Sequence, residues 1–269
     1  MKRIWRERAV ILAVLGMVAG ASLEALAEET QAAGMNPPPG QWISNSGAAV
    51  TTGDYGTGTD TTITELFETL KYRGEKGEVG VTVPYLFRKG AGVTVGESRP
   101  ARGAIPNDAQ GLGDVQLKGK YFWLEEAEAR PSVDLTGRIK LPTASEDKGL
   151  GTGRVDVGLG TELMKKLGGF ITFGSLELVL RDKPSGSTIE STRLDYAAGI
   201  GYPFTERFTG YASLEGGTKS NSGADPPAEA VFSGVYRVNS SVSVNGYLLA
   251  GLTDGSPDFG GGTGVGVRF

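Results

Sequence analysis

The sequence predicts an all-β chain closed into a single transmembrane, antiparallel, up-and-down barrel, and three observations carry that prediction. Long segments alternate apolar and polar side chains. Short and long connections alternate between those segments. The chain ends on a strand whose last residue, Phe269, is an outward-facing aromatic.

The alternation is clearest between 154 and 163. Val155, Val157, Leu159, Thr161 and Leu163 share one face, opposed by Arg154, Asp156, Gly158, Gly160 and Glu162. Successive side chains of a strand point to opposite faces, so this stretch has one apolar and one polar surface. The same holds for Val133, Leu135, Ile139 and Leu141 against Asp134, Thr136, Arg138 and Lys140, and for Leu194, Tyr196, Ala198, Ile200 and Tyr202 against Arg193, Asp195, Ala197, Gly199 and Gly201. Many of these segments run for about 11 to 14 residues, beyond the five or six usual in globular sheets and enough to cross a bilayer at a tilt. Charges on the polar face cost little beside a watery lumen and a great deal in lipid or a dry core, so that face is assigned to the inside.

The predicted strands are 43–53, 61–73, 76–88, 113–126, 129–141, 153–166, 168–181, 190–203, 206–219, 227–237, 240–252 and 259–269. Connections near Gly74, Ala127, Leu167, Phe204 and Asn239 are tight, whereas 89–112, 142–152, 182–189 and 220–226 are longer. That rhythm matches short periplasmic turns and longer extracellular loops, with both termini on the periplasmic side. The count is twelve. Weak marking of the first strand leaves ten or fourteen open, an even number being the rule for bacterial barrels. Tyr121, Trp123, Phe170, Tyr202, Phe208, Tyr236 and Phe269 stand near strand ends, where aromatic rings suit the headgroup region.

Residues 1–27 read as a secretory signal peptide: basic Lys2, Arg3, Arg6 and Arg8, an apolar run, then Ala25-Leu26-Ala27. The run from Ala9 to Ala21 is too short for a spanning helix. Residues 28–42, with Pro37-Pro38-Pro39, read as a stiff periplasmic leader, the alternative being a plug that enters the lumen. The barrel occupies 43–269, and the expected location is the bacterial outer membrane.

Composition narrows the functions. The chain has 43 Gly, which disfavours helices, and no Cys, which removes disulfide support. It has no His, so a serine hydrolase would need a Lys, Asp or Glu base, and no recognisable pairing is present. The net charge of −4 without a basic run argues against nucleic acid as a partner. No metal or cofactor pattern stands out. Leu150-Gly151-Thr152-Gly153 lacks the Lys-Ser/Thr ending of a phosphate loop, and Glu146, Asp147 and Asp156 fit no calcium-loop spacing.

The candidate lumen residues are Lys118, Lys120, Asp134, Arg138, Lys140, Arg154, Asp156, Glu162, Arg193, Asp195, Glu229 and Arg237. Twelve strands fall between barrels filled by side chains and wide porins, so the expectation is a narrow or partly occluded lumen with opposite charges pairing across it. Three functions compete: passive passage of a small solute, a structural or adhesion barrel whose charges merely brace it, and a barrel lipid hydrolase. Loop 89–112 is long enough to be a lid or a binding site.

Four segments then occur in order: Val83-Pro84-Tyr85, Gly111-Leu112-Gly113-Asp114-Val115, Lys140-Leu141-Pro142-Thr143 and Leu150-Gly151-Thr152-Gly153. Together they resemble the outer-membrane transporter family named after the MetA pathway of phenol degradation, over residues 60 to 269. The resemblance implies a barrel associated with aromatic or other hydrophobic compounds, and no catalytic residues to carry over. The terminal Val265, Val267 and Phe269 resemble the C-terminal strand signature of bacterial outer-membrane proteins, which implies the barrel-assembly machinery as a partner and outer-membrane lipid as the surroundings.

Overall fold

The computed structural model describes residues 38–55, 58–90, 94–95, 106–182, 190–220 and 225–269. The segments expected to be a signal peptide, 1–27, and most of a leader, 28–42, lie outside the described residues, as does most of loop 89–112. The described chain forms strands β1 (Gln41–Gly53), β2 (Thr61–Arg73), β3 (Gly77–Lys89), β4 (Asp108–Leu112), β5 (Val115–Leu124), β6 (Ser132–Leu141), β7 (Asp156–Leu167), β8 (Phe170–Arg181), β9 (Thr192–Pro203), β10 (Phe208–Gly217), β11 (Ala228–Arg237), β12 (Val242–Gly251) and β13 (Phe259–Arg268). All pairings are antiparallel and, β4 and β5 apart, join neighbours in sequence, and β1 pairs with β13, so the sheet closes. Both β4 and β5 pair with β3 and are two lengths of one strand, which makes a barrel of twelve. No helix among the described residues is long and apolar enough to span a membrane.

Closure runs from Ile43 opposite Arg268 to Thr52 opposite Phe259. Trp42 and Phe269 extend it by one pair, exchanging backbone hydrogen bonds of 2.9 and 3.0 Å. The first strand therefore starts two residues earlier than expected, inside the segment assigned to the leader. The inner face of β13 is Gly260, Gly262, Gly264 and Gly266 before Arg268, and the bare glycines let side chains meet over them. Asn245 of β12 donates to Asn45 of β1 at 3.2 Å across Gly264, and Tyr247 lies over Gly262 against Ala49. The ring of Phe67 covers Gly47 in the same way.

Outward residues form the expected apolar belt of Leu, Val, Ile, Phe and Tyr. All seven aromatics assigned to strand ends are exposed, Phe269 at 68%. Rings cluster at the edge that carries the short turns: Trp42 with Tyr72 at 5.1 Å, Phe170 with Tyr202 at 5.2 Å, and Phe204 with Tyr202 at 5.1 Å. That is the periplasmic rim, since the termini and the short turns share it. Glu68 departs from the belt. It faces outward from β2, where the hydroxyls of Ser44 and Ser46 donate to its carboxylate.

The fourth predicted strand is corrected at both ends. The observed strand begins at Asp108, because 108–112 pairs with Tyr85–Lys89, and loop 89–112 shrinks accordingly. Tyr85 faces Leu112 and Thr82 faces Gln116, so one extra residue stands on this strand opposite Val83 and Pro84. Proline has no N–H for the ladder and is tolerated inside a sheet at such a bulge. Only Gly113 N–H bonds Pro84 O, at 2.9 Å. The bulge also reverses parity: Leu112 faces lipid, while Gln116, Lys118 and Lys120 face inward.

Gly47→Val should destabilise the seam, because its side chain would meet both the Phe67 ring and Thr263 O, 2.8 Å from an ideal Cβ. Overpacking of this kind costs about 1–3 kcal/mol. The check is the temperature at which the folded band is lost in heat-modifiability gels, which should fall.

Candidate functional site

The interior of the barrel is a polar wall organised by ion pairs. A twelve-strand cylinder with strands about 4.8 Å apart, tilted about 40°, has a backbone radius of about 12 Å. Side chains of the inner face project into that space, and the sequence supplies many with charge.

Lys118 and Lys120 stand on β5, Asp134, Arg138 and Lys140 on β6, Asp156 and Glu162 on β7, Arg193 and Asp195 on β9, and Glu229 and Arg237 on β11, each on the inner face of its strand. Arg154 is the correction. β7 begins only at Asp156, because Gly153 takes a left-handed φ of 65° and turns the chain. Arg154 is therefore a loop residue, paired with Asp182 at 3.2 Å and partly exposed.

The structure brings several of these together. Lys120 pairs with Glu162 at 2.5 Å, Lys140 with Asp156 at 3.3 Å, and Arg193 with Asp195 at 2.5 Å. Arg138 meets Glu177 of β8, its Nε 3.1 Å from Oε1, and Arg73 pairs with Glu78 while lying 4.4 Å from the Phe122 ring centre. These bonds run along the wall, between strands one or two apart or within one strand, and not across the lumen. A pair on a shared wall needs no side chain to reach the barrel axis. Glu229 lies in a different sector, with Glu65, Glu215 and Tyr247.

Sequence reasoning missed the node at the extracellular end of β3–β7, where all four motif segments converge. Thr143 Oγ1 accepts the Val115 N–H at 2.9 Å and donates to Gly113 O at 2.7 Å, closing the ladder around the bulge. Asp114, displaced by the bulge, accepts the Ala144 N–H at 3.0 Å and the Lys140 ammonium at 2.9 Å. Lys140 also donates to Thr152 Oγ1 at 2.7 Å and Arg154 O at 3.1 Å. A Cβ on Gly151 would collide with Ala144 and the Asp114 carboxylate, so glycine is what fits there. Each motif is weak alone because its partners are distant in sequence; the ordered set carried the signal.

The node folds the 142–155 loop back onto the inner wall. Leu150, 1% exposed, packs on Leu86, Ala144 and Ala109, and Val95 N–H bonds Gly149 O at 3.1 Å. Arg88, also 1% exposed, projects inward from β3 and donates to Gly90 O at 3.0 Å, Pro106 O at 2.7 Å and Lys148 O at 3.0 Å. One guanidinium thus ties both feet of the 90–107 loop to the 142–155 loop. Across the mouth, Tyr55 bonds Thr51 at 2.7 Å, and burial pushes its phenol up to about 12, so it stays neutral. Glu146 and Asp156, weighed for calcium, stand apart: Glu146 lies beside Gly153, and Asp156 is held by Lys140. Among the described residues no acidic group of three or more is arranged for a metal.

In fold, the chain is similar to the COG4313 outer membrane channel from Pseudomonas putida F1 (TM-score 0.66, 14% identity, 88% of this chain and 98% of that one). It is also similar to the NanC porin (TM-score 0.50, 9% identity, 84% and 98%). A weaker likeness is to the CymD monoaromatic hydrocarbon channel (TM-score 0.45, 10% identity, 96% and 94%). A search of curated protein sequences finds no match. The model of the family described as "Putative MetA-pathway of phenol degradation" matches residues 39–269, and the chain, an outer-membrane barrel, belongs to that family.

Proposed function

We propose that this barrel is a passive channel for small solutes, aromatic or otherwise hydrophobic, through a narrow charged lumen in the bacterial outer membrane. The observation that carries the reading is the anchored loop at the extracellular mouth. Arg88 and the Lys140–Asp114 node hold residues 142–155 against the inner wall, where the loop narrows the passage of a barrel wider than those that side chains alone fill. The wall below carries charge paired between neighbouring strands, which tolerates water. The family's description, a pathway of phenol degradation, points to the same solute class.

The competing structural reading also has support, since ion pairs along the wall brace it whether or not anything passes. Purified protein in planar bilayers and solute uptake by liposomes decide between them. Discrete conductance steps and uptake of small aromatics are expected; electrical silence together with no uptake would sink the channel reading. No enzymatic role is proposed: the chain has no histidine, and the serines bonded to Glu68 sit on the lipid-facing surface. Leader residues 28–40 remain a periplasmic spacer in this reading, with Gln41 and Trp42 given over to β1, and 1–27 a cleaved export signal.

Two further outcomes follow. Arg88→Gln strands carbonyls at about 1–3 kcal/mol each, so the mouth loops should loosen and single-channel recordings show larger, noisier openings. Phe269 is proposed as the residue read by the barrel-assembly machinery, and it also completes the seam with Trp42. Deleting it should lower the folded, membrane-integrated fraction severalfold in cells, measured by heat-modifiability of outer-membrane preparations.

A further inference from the structure

The inner-face charges are not evenly distributed along the barrel axis. Toward the extracellular end, carboxylates and cations are both plentiful: Asp114, Asp156, Asp195, Glu215, Glu229 and Glu65 stand with Arg88, Lys140, Arg181 and Arg193. Toward the periplasmic end the balance changes. The inner face there carries Lys71, Arg73, Lys120, Lys166, Arg237 and Arg268 against Glu78, Asp134 and Glu162, six cations to three carboxylates.

The excess is localised by register. Arg237 faces Ser243 on β12, Ser243 faces Gly266 on β13, Arg268 faces Ile43 on β1, and Ile43 faces Lys71 on β2. Gln41, two residues below, faces Arg73. These five consecutive strands, β11, β12, β13, β1 and β2, form an arc within about one turn of side chains from the periplasmic rim. Along them the inward carboxylates, Glu65 and Glu229, lie at the opposite end. The three acids of the periplasmic layer sit on β3, β6 and β7, where Glu78 is bonded to Arg73 and Glu162 to Lys120. Lys71, Arg237 and Arg268 thus share a sector of the periplasmic layer in which none of the described strands places an inward carboxylate.

From this arrangement we infer that the periplasmic mouth selects small organic anions, with carboxylates the expected class, over cations of the same size. A charged aperture with low-dielectric walls focuses its field into the passage, raising the local concentration of one sign of ion. An anion is attracted by the arc, and two of the three acids on the other strands, Glu78 and Glu162, already hold cations; a cation is repelled by the arc. The inference rests on the channel reading above and refines its solute class from aromatic to aromatic and anionic.

The experiment uses the full-length barrel in planar bilayers and liposomes. Reversal potentials in a KCl gradient should show chloride favoured over potassium by about threefold or more, as expected for an aperture of this charge. In liposome uptake, benzoate should enter faster than benzylammonium, with neutral benzyl alcohol as the reference. The triple variant Lys71→Gln, Arg237→Gln, Arg268→Gln should lose most of the anion preference while still passing benzyl alcohol. Arg268→Glu alone should move the reversal potential in the same direction, and it serves if the triple variant fails the heat-modifiability test for folding. Benzyl alcohol passage with no preference for anions, or a preference that survives both variants, would overturn the inference and leave the channel intact. Silence to all three solutes and both ions would overturn the channel reading and this one with it.

Discussion

A strand in hydrocarbon has no water to bond its backbone, so every N–H and C=O must find a partner in the protein. In this chain that requirement is met by the seam between β1 and β13, which turns an open sheet into a cylinder without edges. Much else follows from the seam. It makes one face of every strand a lumen and the other a lipid surface, and it fixes register, because slipping one residue would send each inward charge into lipid. The glycines of β13 belong to the same solution. With Gly262 and Gly264 bare on the inside, Tyr247, Asn245 and Asn45 occupy the space above them, and strands on either side of the joint touch directly.

The features of the fold that rest on local periodicity were legible in the sequence. Alternation identified the strands, the sign of the charged face identified the lumen, and turn lengths placed the termini. Phe269 located the closing strand. What escaped was non-local. The bulge opposite Pro84 could not be read from alternation, since Gly111 to Val115 looks like a turn until β3 is laid beside it. Arg154 was misplaced for the opposite reason: its alternation is real, but the left-handed Gly153 holds it in a loop.

The candidate site was legible residue by residue and illegible as a set of contacts. Parity alone put Lys120, Arg138 and Glu162 inside. It could not say that Arg138 would meet Glu177 two strands away, nor that pairing would follow the wall. That geometry has a physical reason. A charge in a partly dry interior is tolerable only with a partner close by, and the nearest opposite charge is on the same wall, whereas the far wall is about two radii away, roughly 24 Å. Pairing along the wall therefore satisfies the charges and spares the centre.

The four motif segments show the same logic at the mouth. A proline in a membrane strand deprives the ladder of a donor, a bulge absorbs the mismatch, and the bulge ejects Asp114 from the pleat. Once ejected, Asp114 can bond Ala144 and Lys140, and these bonds set the path of the 142–155 loop. A backbone irregularity in one strand is thereby converted into a fixed loop at the entrance. Straightening that strand by removing Pro84 would repair the ladder and dissolve the node together, so the irregularity is what shapes the mouth.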